Sequence, residues 1–338
     1  MGVKLGDIVE KKEINFDYLK GKIVGVDAFN AIYQFLSSIR GADGSLLQDS
    51  NGNVTSHLQG LFSRTLNLMG KGIKLVYVFD GEAPELKYEE KEARLARKQK
   101  AKTKYEEAVN EENIDLMNKF SRQFMKLDGT MIEESKKLLK AMGIPVVQAK
   151  SEAEGQIAFM CKNKDLDYAA SQDYDSLLFG APKLVRNLTL SQKRKTSGGK
   201  VVYTFLEFIE LKTILENLSL TQEQLIMLGI LVGTDFNVGG IKGIGAKKAL
   251  KLIRENKDYD KMFSNLNAGF DWKEVKEIFT NLPINKNYKI EWNEIDEKAL
   301  KKILVNDHEF NEERINSALE KHYLNSKPKS QKGLGEYF

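Results

Sequence analysis

Ser151-Glu152-Ala153-Glu154 and Asp173-Tyr174-Asp175 place four carboxylates in two tight clusters. Like charges this close repel one another and resist desolvation, so gathering them does little for stability. A divalent cation would resolve the conflict. Ser151 and Glu154 also have the spacing of a capping box, with Ser as N-cap and Glu at N3. On these residues alone both readings stand. Any metal here should be hard and oxygen-bound, because His57, His308 and His322 are too scattered for a zinc site. Cys161, the single cysteine, lies on the apolar face of the helix expected after Glu154. It reads as buried filler rather than nucleophile.

The elements that carry these acids repeat one pattern. Ile23-Val24-Gly25-Val26 is a buried strand ending at Asp27, and Lys74 to Phe79 is a second ending at Asp80. Pro145 to Gln148 and Tyr168 to Ser171 are two more short apolar runs, each leading into one acidic cluster. Between them lie helical patterns: Ala31 to Ile39, about Ser56 to Met69, and Ile132 to Met142. Alternating strands and helices predict an α/β fold with a mostly parallel sheet and right-handed crossovers. In such a sheet the carboxyl ends of the strands line one edge, where ligands bind. Asp27, Asp80, Glu152, Glu154, Asp173 and Asp175 should therefore converge. Asp235 follows a further apolar helix, capped by Thr221 and Gln224, and adds a seventh acid.

Two stretches suit nucleic acid. From Leu86 to about Met125, Lys87, Lys91, Arg94, Arg97, Lys98, Lys100, Lys102 and Lys104 crowd a helical run inserted directly after the Asp80 strand. Interleaved Glu89, Glu90 and Glu92 also allow a solvated helix laced with ion pairs. Gly239 to Leu250 reads Gly-Gly-Ile-Lys-Gly-Ile-Gly-Ala-Lys-Lys-Ala-Leu. Its glycines let backbone amides approach a phosphate at a helix N-terminus, with Lys247 and Lys248 behind. This is the helix-hairpin-helix signature of sequence-independent DNA binding. Leu184–Leu190 and Val201–Phe205 read as a hairpin joined by residues 191–200, a basic loop with Lys193, Arg194 and Lys195. The net charge of +4 adds only weak support. No apolar run approaches the roughly twenty residues that span a bilayer, and no signal peptide opens the chain. With one cysteine, a cytoplasmic, reducing location is expected.

In this order, these blocks resemble the structure-specific 5′ flap endonucleases of the XPG family, with an archaeal organisation. The resemblance covers nearly the whole length. It rests on Met1-Gly2-Val3, Val26 to Leu36, Val78-Phe79-Asp80-Gly81, the two acidic clusters, Gly233-Thr234-Asp235 and the helix-hairpin-helix. It implies a PIN-like nuclease core: a central, mostly parallel twisted sheet flanked by helices, with a helical arch inserted over it. The implied parts are an N-terminal nuclease region (1–98, arch about 83–130) and an internal region (116–258, helix-hairpin-helix about 236–253). A C-terminal helical region (259–325) and a flexible tail (326–338) follow.

The family's metal ligands fall on Asp27, Asp80, Glu152, Glu154, Asp173, Asp175 and Asp235. They imply two Mg²⁺ ions, with Mn²⁺ able to substitute, and Asp80, Glu152 and Asp173 in catalytic roles. Lys87 and Arg94 would steer and polarise the scissile phosphate. Tyr33 would stack on a base, and Gly2, once Met1 is removed, would bring a terminal amine near the site. DNA would also meet Gly240, Gly243, Gly245, Lys247 and Lys248, with a monovalent cation at that hairpin. The implied substrate is branched DNA with a 5′ flap, cut by a monomer.

The tail residues Gln331, Leu334, Tyr337 and Phe338 match the pattern by which short segments dock on a sliding clamp (PCNA). A non-catalytic, clamp-bound module for DNA junctions is the competing reading. The complete acid set argues against it. A phosphatase of small substrates would leave the basic arch and the helix-hairpin-helix unexplained.

Overall fold

Short β-branched runs make the strands, and alternation along each sends side chains to both faces of one sheet. The structure is a computed structural model and describes residues 2–41, 44–110, 116, 120, 127–190, 192–195 and 201–326. Its strands are β1 (Lys12–Ile14), β2 (Ile23–Asp27), β3 (Lys74–Phe79), β4 (Val146–Gln148), β5 (Tyr168–Ala170), β6 (Lys183–Arg186), β7 (Lys193–Lys195), β8 (Val201–Tyr203) and β9 (Leu206–Glu210). Seven of them form a sheet in the order β1-β9-β6-β5-β2-β3-β4. β4, β3, β2, β5 and β6 run parallel; β9 pairs antiparallel with β6, and β1 antiparallel with β9 closes that side. The chain steps from β2 to β3 on one side and later to β5 on the other. That reversal opens a crevice at the carboxyl ends of the central strands.

Two layers of helix cover the sheet. On one face lie α1 (Ala28–Ser38), α2 (Ser56–Gly70) and, beyond the long α3 (Lys87–Asn110), α4 (Gly129–Ala141). Leu75, Tyr77 and Phe79 of β3 point into this layer, with Ile32, Phe35, Leu61 and Leu138. Val76 and Val78 point the other way, toward α5 (Ala153–Lys162), α6 (Asp175–Leu178), α7 (Leu211–Leu218), α8 (Gln222–Val232) and α9 (Ala246–Glu255). The strand thus splits its residues between two cores. Gly25 of β2 is small for a reason: a Cβ there would lie 2.5 Å from Leu166 Cδ1 and 3.1 Å from Ile157 Cγ2.

Beyond α9 come α10 (Tyr259–Asn265), α11 (Trp272–Thr280), α12 (Glu297–Lys301) and α13 (Glu312–Ser326), with an irregular stretch over 281–296 between α11 and α12. Both tryptophans pack, as their positions suggest. Trp272 stacks on Phe263 with ring centroids 5.3 Å apart. Trp292 donates its indole N–H to the Leu75 carbonyl at 2.9 Å. Among the described residues no helix is long and apolar enough to cross a membrane.

Two expectations need correction. The single hairpin expected from Leu184 to Phe205 is two ladders. β6 pairs with β9 inside the main sheet, and β7 with β8 forms a separate two-stranded ribbon. The expected connecting loop is therefore itself part strand, because Lys193–Lys195 finds a partner in Val201–Tyr203.

The capping box at Ser151 does not form either. The α5 N-cap is Glu152, and its side chain makes no capping bond. The donor at Ala153 N–H is met instead by Asp80 Oδ1 at 2.7 Å. A carboxylate just beyond the end of β3 has taken the place of the local one. Thr221 and Gln224, by contrast, form a complete capping box on α8.

Candidate active site

The crevice gathers all seven predicted acids. Asp27 ends β2 and caps α1, accepting from the Asn30 N–H at 3.0 Å. Asp80 follows β3 and caps α5, while Gln148 donates to its carbonyl at 2.7 Å. Glu152 and Glu154 sit at the start of α5. Ser171 and Ser176 hydroxyls donate to Glu154 Oε1 at 2.8 and 3.3 Å.

Asp173 follows β5 and is held by two donors. The Gly2 N–H reaches Oδ1 at 3.0 Å and Asn30 Nδ2 reaches Oδ2 at 3.1 Å. Asp175 opens α6 and accepts from the Val3 N–H at 2.8 Å. Asp235 lies just beyond α8, where the Asn237 side chain fixes the turn by accepting from Thr234 N and Oγ1 and donating to the Ile230 carbonyl.

The electrostatics show how tightly these groups share the edge. Burial pushes the Asp27 carboxyl up to about 8, and the charges of Asp80, Asp173 and Glu152 add to it. Burial, then Asp175, Asp27 and Asp173, hold Glu154 well above the carboxylate range. Asp175 is pushed up to about 7 by burial, with Asp235 and Asp173 adding and the Val3 N–H opposing. Lys87, at the first turn of α3, supplies a positive charge that the acidic motifs themselves do not carry. Its Nζ lies 2.5 Å from Glu152 Oε2 and 4.0 Å from Asp235 Oδ2. Burial alone would lower that ammonium, but Glu152, Asp80 and Asp235 outweigh it and hold it above its ordinary value.

The donor set fits a hard divalent cation: seven carboxylates, several buried, opposed at close range by Lys87. Among the described residues no three His, Cys, Asp or Glu side chains form a ready-made metal cage. An edge of this kind suits Mg²⁺, which keeps part of its water and takes few direct protein ligands.

The linkage is testable without substrate. Asp27 and Asp175 bind protons more tightly when folded, so from about pH 4 to about pH 8 the folded state holds more protons and stability falls as pH rises. In chelator, the Tm is expected to drop across that range. Mg²⁺ should raise it most at the alkaline end. A Tm rising with pH in calorimetry would contradict the mutual repulsion described here.

Most of the other predicted residues lie on α1, on α3 and in the turn between α8 and α9. Tyr33, half-buried on α1, faces α3, with Lys98 Nζ 5.4 Å from its ring centroid. Arg94 lies on α3 and its side chain is outside the described atoms. Across from it, α8 and α9 pack together around a glycine turn. Gly239, Gly240 and Gly243 have φ of 81°, 53° and 79°, which a side chain would strain. Gly245 caps α9 with no side chain over its first N–H groups, and Lys247 and Lys248 are exposed beside them. Gln331, Leu334, Tyr337 and Phe338 lie outside the described residues.

Sequence reasoning missed Asn30 as a tie between Asp27 and Asp173, the serines on Glu154, and Asp80 as the α5 cap. An Asn three residues after a strand-end Asp, in the first helical turn, was the available signal.

This arrangement has close relatives. Residues 1–101 match the XPG N-terminal domain and residues 143–235 the XPG I-region. The chain is 48% identical to flap endonuclease 1 of Pyrococcus furiosus over 100% of its length and 99% of that protein. The solved flap endonuclease-1 of Methanococcus jannaschii superposes with a TM-score of 0.77 at 38% identity, over 96% of this chain and 98% of that one. The catalytic core of Rad2 in complex with DNA substrate shares the fold, with a TM-score of 0.68 at 24% identity over 94% and 97%. Fold and site together define an XPG-type nuclease. Within that class, the chain belongs to the flap endonuclease 1 family.

Proposed function

We propose that the protein cuts 5′ single-stranded flaps from branched DNA by metal-dependent phosphodiester hydrolysis, with 5′-3′ exonuclease activity on the same site. Okazaki-fragment maturation and base excision repair are the processes that need such cuts. The observation that carries this reading is the convergence of seven carboxylates on one sheet edge with Lys87 among them. Asp80, Glu152 and Glu154 would hold one Mg²⁺, and Asp173, Asp175 and Asp235 a second, with Asp27 beside them at the end of β2. When bound, the two ions would activate a water and stabilise the leaving oxygen.

The chain's own residues do the rest. Lys87, paired with Glu152 in the free protein, would turn to the scissile phosphate once cations held the acids. Arg94, further along α3, would join it. Tyr33 presents a ring to the base beside the cut. The Gly239–Gly245 turn and the α9 N-terminus would hold duplex phosphates, with Lys247 and Lys248 as counter-charges and a monovalent cation in the turn. The tail from Gln331 to Phe338 would dock on a sliding clamp.

A labelled double-flap substrate, with and without Mg²⁺, tests the central claim. Product is expected only with metal, and its absence in both arms would favour a non-catalytic junction binder. DNA binding measured against salt should fall steeply. Lys247→Ala with Lys248→Ala should flatten that slope by about 2, near 0.9 for each phosphate no longer neutralised. An unchanged slope would remove those lysines from the interface. Trimming residues 332–338 should leave flap cutting intact and remove stimulation by the clamp. Stimulation that persists would sink the tail assignment.

A further inference from the structure

We infer that Asn30 is a positioning residue that sets the separation of Asp27 and Asp173, and through them the geometry of the cation-binding edge. The inference rests on the metal-dependent reading proposed above. Three contacts carry it. The Asn30 main-chain N–H donates to Asp27 Oδ1 at 3.0 Å, and its side-chain Nδ2 donates to Asp173 Oδ2 at 3.1 Å. Its Oδ1 accepts from the Gln172 N–H at 3.4 Å. One residue thereby ties the end of β2 to the turn after β5, across the point where the sheet reverses its strand order.

The chemistry of the side chain matters as much as its reach. An amide has a donor end and an acceptor end. The Gln172 N–H takes the acceptor end and so turns the donor end toward Asp173. Because the amide is neutral, it fixes the carboxylate without cancelling its charge, which stays free for a cation. A lysine in the same place would pair with the carboxylate and compete with a cation for its charge, as the Lys87–Glu152 pair illustrates. Asp173 Oδ1 is held from the other side by the Gly2 N–H, so Asn30 supplies the second of two restraints that stop the carboxylate from rotating. Groups that hydrogen-bond a metal ligand in this way typically change metal affinity or activity about 10–100-fold when removed.

The test uses the full chain carrying Asn30→Leu, which keeps the size and loses both polar ends, and Asn30→Ser, which is too short to reach Asp173. Mn²⁺ binding without DNA is read from the free-ion paramagnetic signal. Cleavage of a double-flap substrate gives kcat and KM, and the Tm is measured in chelator. Both variants should bind Mn²⁺ about 10–100-fold more weakly and lose kcat by a similar factor. KM for DNA and the metal-free Tm should stay at wild-type values. Unchanged Mn²⁺ affinity and kcat in folded variants would overturn the inference. So would a loss of kcat that follows a fall in Tm while Mn²⁺ affinity holds, which marks plain packing. Failure of the wild-type chain to cut would count against the nuclease reading instead, and the Mn²⁺ arm would still report on Asn30.

Discussion

Asp173→Asn is expected to abolish flap cutting while leaving flap binding nearly intact. The substitution keeps the size of the side chain and removes one charge. It also places an amide where two donors now converge, because Gly2 N–H and Asn30 Nδ2 each need an oxygen. Whichever way the amide turns, one donor faces another. The residue therefore loses both its charge and its orientation. The single-turnover rate should fall by about 10²–10³-fold, the scale seen when one group that stabilises transition-state charge is removed. The dissociation constant for flap DNA should move little, since the phosphate contacts proposed above lie on α3 and the α9 turn. A parallel loss of binding and cutting would refute a catalytic role for the acid.

Gly2→Val should be nearly as damaging, although the position carries no functional group. A Cβ at residue 2 would lie 2.5 Å from Asp173 Cβ, 2.9 Å from its Cγ and 2.9 Å from Asp175 Oδ2. Atoms do not sit that close, so either the Gly2-Val3 segment lifts away or the acids move. In both cases the N–H donors at Asp173 and Asp175 are displaced. A shift of about 1 Å at a catalytic group costs on the order of 10²-fold in rate, and that is the loss expected here. Gly6→Ala is the matched control, because its Cβ would meet only the Tyr174 hydroxyl, at 3.4 Å. A Gly2→Val enzyme that cuts at the wild-type rate would show that the segment has no part in placing the acids.

The strand-end acids were legible because each follows a short buried run that the sheet must end. Asp27 and Asp80 announce themselves in this way, and the crossover rule then puts them on one edge. The α9 turn was legible because positive φ at Gly240 and Gly243 demands glycine. What stayed hidden was set by distant partners. Ser151 and Glu154 have capping spacing, but Asp80, about seventy positions away, reaches the Ala153 N–H instead. Lys87 was singled out through the family resemblance alone; its pairing with Glu152, at 2.5 Å, came only from the fold. The β6–β9 pairing reads as part of a local hairpin because sequence separation alone does not reveal that a ribbon has been inserted between its strands.

The Gly2 and Val3 contacts span 171 and 172 positions. A nascent chain presents residues 2 and 3 long before Asp173 and Asp175 have been made, and a loop of this length closes late and at an entropic cost. A chain halted near residue 101 already holds Asp27 and Asp80 but has nothing for Gly2 to grip. Cutting ability is therefore expected only after the second half of the nuclease region has been synthesised, which would leave an unfinished chain harmless to the nucleic acids around it. Arrested chains of increasing length, assayed on flap DNA, should stay silent until both acidic clusters have emerged, and activity in a shorter chain would contradict this order of assembly.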